Sequence, residues 1–171
     1  GLTFNLSTQV PATPTCGACS PTINSLTSVH FISPTTGVVG MSCTIAKTND
    51  AGVTWSVLPL INALPTGEPF TINGIHMSSN GQVINAVSYT GIFRSIDGGG
   101  TWTNTYSYTD RIGRHLTWTD DNTLWAFSIE HQILKSADAG ATWTVVRAQD
   151  PMGPAHYAGH FYQGVSGFFS S

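Results

Sequence analysis

Apolar and polar residues alternate in short runs along most of this chain, and clusters of Gly, Pro, Asn, Asp, Ser and Thr separate the runs. Period-two alternation between such turn signals predicts β-strands, and no segment holds a helical period. The pattern predicts strands over 28–32, 38–41, 44–48 and 54–58, then over 74–78, 83–87, 91–95 and 101–106, then over 113–117, 123–128, 132–136 and 142–147. In each group of four the same kind of turn joins the third strand to the fourth, so the chain reads as an all-β array of four-stranded units.

The turn is a repeat. Thr48-Asn49-Asp50-Ala51-Gly52-Val53-Thr54-Trp55, Ser95-Ile96-Asp97-Gly98-Gly99-Gly100-Thr101-Trp102 and Ser136-Ala137-Asp138-Ala139-Gly140-Ala141-Thr142-Trp143 share the form S/T-x-D-x-G-x-T-W. Repeats at this spacing indicate stacked units or propeller blades. Within this box, Asp can accept backbone N–H bonds and close an Asx-type turn, while glycine supplies positive φ. Trp buries a large surface under the turn as the outer strand begins. The aspartates therefore read as turn locks at the blade rims rather than as catalytic acids.

The boxes resemble the Asp-box of sialidases, sortilin-type receptors and photosystem II stability-factor-like propellers. The tract 26–58 resembles one whole blade of that last family. The resemblance implies a β-propeller, with blades at about 25–60, 70–108 and 111–148. Gly1-Leu2-Thr3-Phe4 lines up with the G-x-T-W of the boxes, and 157–171 supplies the opening strands of a further blade. Pairing the two ends in one blade is a common propeller closure that removes exposed edges. The expected fold is a single domain over 1–171, a four-bladed propeller whose fourth blade combines 157–171 with 1–10. That blade lacks a third strand, which further residues or a partner chain's strand could supply.

Composition narrows the setting. Only 9% of the 171 residues are charged and the net charge is −3, so a nucleic-acid partner is not expected. No apolar run reaches membrane-spanning length. Ser, Thr, Asn, Gln and Gly must carry the polar surface, which suits a secreted or extracytoplasmic protein. The chain begins at Gly1 without an initiator Met or a signal peptide and reads as a mature or cut product. Cys16, Cys19 and Cys43 read as one disulfide and one spare thiol, since Cys16-Gly-Ala-Cys19 lacks the His of a haem site and a fourth ligand for zinc.

The candidate chemistry lies in the histidines. Aligned on the boxes, the first strands read Ser28-Val29-His30-Phe31, Gly74-Ile75-His76-Met77, Gly113-Arg114-His115-Leu116 and Ala158-Gly159-His160-Phe161. His30, His76, His115 and His160 then share one slot on the strand nearest the propeller axis, with small residues two positions earlier. Four converging neutral imidazoles would bind a transition metal, Fe or Cu by preference, with Ni or Zn as other choices. Packing, or a hydrogen bond to the next blade, is the competing explanation.

Two functions follow. One is a metal-binding propeller, a mononuclear non-haem metalloenzyme running oxidative or Lewis-acid chemistry on a small molecule. The other is a non-catalytic propeller that binds glycan or protein, or assembles into oligomers by accepting a strand. Tyr106, Tyr108, Trp118 and Tyr162 are the aromatics expected to shape a channel mouth, and Asp120 and Asp121 read as loop charges. A sialidase reading finds no arginine triad among Arg94, Arg111, Arg114 and Arg147.

Overall fold

A computed structural model describes residues 26–42, 44–59, 71–108, 113–128 and 132–147. These form three four-stranded antiparallel sheets in chain order. The first holds β1 (Leu26–Phe31), β2 (Gly37–Met41), β3 (Thr44–Thr48) and β4 (Ser56–Leu58). The second holds β5 (Ile72–Met77), β6 (Ile84–Ser88), β7 (Gly91–Ser95) and β8 (Thr103–Ser107). The third holds β9 (Gly113–Trp118), β10 (Leu124–Ser128), β11 (Ile133–Ser136) and β12 (Thr144–Arg147). The sheets are propeller blades, and the described strands do not close a ring. The expected fourth blade (157–171 with 1–10), His160 and the three cysteines lie outside the described residues.

The blades pack face to face through two cores. Val38 and Ile45 of the first blade meet Ile75, Met77, Ile84 and Phe93 of the second. Val87 and Ile92 of the second meet Leu116, Leu124 and Leu134 of the third. The middle blade is thus covered on both faces, and β6 is buried along its whole length. Outer strand β12 is exposed throughout. On the first blade, Leu26, Val29 and Phe31 stand exposed.

First strands approach closely because their residues are small. A Cβ on Gly74 would lie 2.7 Å from the Leu116 nitrogen, and one on Gly113 would lie 2.1 Å from the Ser88 carbonyl oxygen. Thr27 Oγ1 donates to the Ile72 carbonyl. Asn73 Nδ2 donates to the Gly113 carbonyl at 2.7 Å, joining the second blade to the third.

All three boxes fold alike. Asp97 accepts from Thr101 N at 2.9 Å, Thr101 Oγ1 at 2.7 Å and Ser95 Oγ at 2.7 Å. Asp50 and Asp138 make the same set. Each carboxyl is held below the usual carboxylate range by these donors. Two consecutive positions after each Asp have positive φ, and the first is alanine in two boxes: Ala51 at 61° and Ala139 at 56°. The outer strand starts only after Trp, which stays in the turn. Trp55 and Trp102 donate to the Gly52 and Gly99 carbonyls, both at 3.1 Å.

Each box turn is tied to the first hairpin of its own blade: Ala51, Gly98 and Ala139 donate their N–H groups to the carbonyls of Thr35, Gln82 and Asn122. Six turns therefore gather at one end of the molecule. In the first two blades the basic residue before the box reaches across to the next blade. Lys47 Nζ lies 3.4 Å from the Gly81 carbonyl oxygen, and Arg94 Nε donates to that of Ala139 at 2.9 Å.

Candidate functional site

At the end that carries the six turns, one aromatic side chain from each blade converges near the inner strands. His30 is near the end of β1, His76 near the end of β5, and Trp118 closes β9. The two imidazoles stack with centroids 5.2 Å apart and planes 18° from parallel. The indole lies against both, at 4.3 Å from His30 and 4.7 Å from His76. Trp118 and His30 are half-buried, while His76 is fully buried.

Asp121, in the turn after β9, stands over this cluster. Ser79 anchors it, donating its N–H at 2.9 and 3.1 Å to the two carboxylate oxygens and its hydroxyl at 2.5 Å. These bonds lower the Asp121 pKa, so it is ionised at neutral pH. Its Oδ1 lies 3.9 Å from His76 Nε2, and 41% of the Asp121 side chain is exposed against 1% for His76. That distance is too long for a hydrogen bond. Among the described residues, neither ring nitrogen of His76 has a hydrogen-bond partner.

His30 is satisfied differently. Its Nδ1 accepts the Met77 N–H at 2.9 Å, which places the neutral ring's proton on Nε2. Burial lowers the His30 pKa, with Asp121 partly opposing it. Burial, and then the neighbouring His30, push His76 down to about 4, again against Asp121. Both rings are neutral at pH 7.

The expected ring of four histidines is not assembled by the described residues. The sheet registers set His30 opposite Val38 and Lys47, and His76 opposite Asn85 and Arg94. The same ladder in the third blade runs Lys135, Trp125, Thr117. Thr117 therefore holds the histidine slot. His115 pairs with Phe127, two residues earlier along the strand, in the position of Ser28 and Gly74. It is solvent-exposed and makes no ring contact with the other imidazoles, although surrounding protein lowers its pKa. Among the described residues no group of three or more His, Cys, Asp or Glu could hold a metal ion. The His30–Met77 bond is a link from the first blade to the second, the kind of contact that the sequence set beside the metal.

Other expectations divide. Trp118 joins the cluster with His30 and His76 at the turn end, while Tyr162 lies outside the described residues. Tyr108 packs into the core between the second and third blades, and Tyr106 lies against it. Asp121 was not legible as a site residue, because nothing local marks a turn aspartate as facing a neighbouring blade. Aligning the first hairpins on Phe31–Gly37, Met77–Ile84 and Trp118–Leu124 would have placed Trp118 beside His30 and His76, and with it the following turn.

No family model and no curated protein matches this chain. Solved structures share its fold at low identity. "YCF48 bound to D1 peptide" is similar over 75% of this chain and 43% of that one, with a TM-score of 0.61 and 19% identity. YCF48 from Cyanidioschyzon merolae covers 77% of this chain and 40% of its own length, with a TM-score of 0.54 at 19% identity. The GH74 enzyme of Niastella koreensis covers 75% and 23%, with a TM-score of 0.56 at 16% identity. This chain thus spans less than half the length of each of these three structures. At these identities the likeness establishes the fold, a β-propeller.

Proposed function

We propose that this chain is a non-catalytic, protein-binding propeller of the Asp-box kind, working outside the cytoplasm. Its contact surface is the end that carries the box turns. The observation behind this reading is the mouth itself: a half-buried indole and an ionised, partly exposed carboxylate stand together where three blades meet. The box aspartates are occupied by their own turns, which leaves them no acid–base role. A protein of similar fold has been solved with a peptide bound, which supports a polypeptide partner for this chain. Within the same reading, 157–171 with 1–10 complete a fourth blade that covers Leu26, Val29 and Phe31, or a partner's strand does so.

Comparing partner capture by two variants tests the function. Trp118→Leu alters the mouth, and Arg114→Ala alters the start of β9, at the opposite end of that strand. Capture lost in the first and kept in the second, with both variants melting as folded proteins, is the expected outcome. Equal capture by both would reject the mouth as the contact surface. Metal analysis of the purified protein checks the competing reading. One equivalent of Fe or Cu that is lost when His30 and His160 become Ala would favour the metalloprotein.

A further inference from the structure

The mouth is rich in acceptors and short of positive charge. All the aspartates among the described residues, Asp50, Asp97, Asp120, Asp121 and Asp138, lie in turns at this end. The basic side chains there are already engaged. Lys47 and Arg94 are directed at carbonyls of the next blade, and Lys135 lies over its own Trp125 at 5.1 Å. Among the described residues, the only ionisable group within ion-pairing distance of Asp121 is His76, and that ring is neutral.

His76 supplies an independent observation. A buried polar group without a partner is costly and calls for an explanation. Its side chain is 1% exposed, neither nitrogen has a hydrogen-bond partner among the described residues, and its Nε2 points toward Asp121 across a 3.9 Å gap. Trp118 adds a π-face, which attracts cations. An ionised carboxylate, an unpaired imidazole behind it and an indole beside it together match one ligand chemistry, a cation that carries several N–H donors.

We propose that the mouth receives a basic side chain, the guanidinium or ammonium of an arginine or lysine on the partner polypeptide, held by Asp121 and Trp118 with His76 behind them. This rests on the reading of the mouth as a protein-binding surface and names what the partner presents. The cation lies against the indole and donates to the outer edge of the carboxylate, which Ser79 holds from the other side. Such a contact carries specificity for positive charge and weakens as salt rises.

Titration of the whole chain with capped Gly-Arg-Gly and capped Gly-citrulline-Gly, followed through the Trp118 indole signal by NMR, tests this. Citrulline keeps the shape of arginine without its charge. Saturable shifts with the arginine peptide, at least about tenfold tighter than with citrulline, are expected. Asp121→Asn should remove that preference, while Asp120→Asn, a neighbouring charge without the Ser79 anchor, should keep it. Equal affinity for the two peptides overturns the proposal without needing any variant, as does an unchanged preference in a folded Asp121→Asn protein. Arginine amide binding as tightly as the tripeptide would point to a free small cation and overturn the polypeptide source. Partner capture that depends on Trp118 but shows no arginine preference would leave the protein-binding reading standing and reject this one.

Discussion

At the residue scale, the boxes contain strain that glycine would relieve. Ala51 and Ala139 occupy the left-handed region, which costs a residue with a Cβ about 1–2 kcal/mol relative to ordinary backbone. The second box has Gly98 at the same place. Ala51→Gly and Ala139→Gly should each raise stability, by up to about 1 kcal/mol after the greater chain entropy of glycine is subtracted. Urea unfolding measures this directly. His76 makes a second prediction. Its folded pKa of about 4 lies below the unfolded value near 6.5, so the unfolded chain binds the extra proton between those pH values. Its contribution is complete above pH 6.5 and is lost as pH falls toward 4, amounting to about 3 kcal/mol. His30 shifts in the same direction. His76→Phe keeps a ring against His30 and Trp118, and it should flatten the pH dependence of unfolding between 6.5 and 4. An unchanged profile would assign the acid sensitivity to other groups. The histidines also show where reading the sequence stops. Matching His-bearing tetrapeptides put His115 in the shared slot. Only the hydrogen-bonded ladder through Trp125 and Lys135 reveals that Thr117 holds it.

At the scale of elements, nearly every strand was legible. Alternation and turn residues located all the described strands to within about two residues, because half-buried strands print their two faces on the sequence. The one systematic difference is the start of the outer strands. Trp remains in the turn because its indole N–H is satisfied there in the first two boxes and by Thr105 Oγ1 of the preceding blade in the third. Small residues on the first strands were legible too, and their contacts make a prediction. Gly74→Ala would drive a Cβ into the backbone of β9, which cannot retreat as a side-chain tip could. The variant should lose about 1–3 kcal/mol, seen as a lower denaturant midpoint with an unchanged slope. Contacts between blades were not legible. The Arg94–Ala139 and Ser79–Asp121 bonds each join residues more than 40 positions apart, and no local pattern encodes such a pairing.

At the scale of the molecule, the six turns, the described aspartates and the aromatic cluster share one end, while Arg114 lies over Tyr89 at 5.2 Å near the start of β9, toward the other. The repeat spacing made a propeller legible; the blade count expected from it rests on residues outside those described. If 157–171 cover the first blade, removing them should lower the melting midpoint and increase binding of an apolar dye. An unchanged melt would mean that the three described blades need no such cover.

The middle blade touches both of its neighbours, whereas each of the others has one neighbour among the described blades. Where repeated units pack against their neighbours, a unit's protection sums its own stability and the interfaces it shares. The order in which the molecule opens should follow. Amide hydrogens of β6 and β7 should exchange slowest, through the most complete unfolding, and those of β12 soonest, by fraying. The His30–Met77 and Ser79–Asp121 links would then part before the blade between them does. The mouth would be the first functional surface lost under stress, while most of the barrier to unfolding still stood.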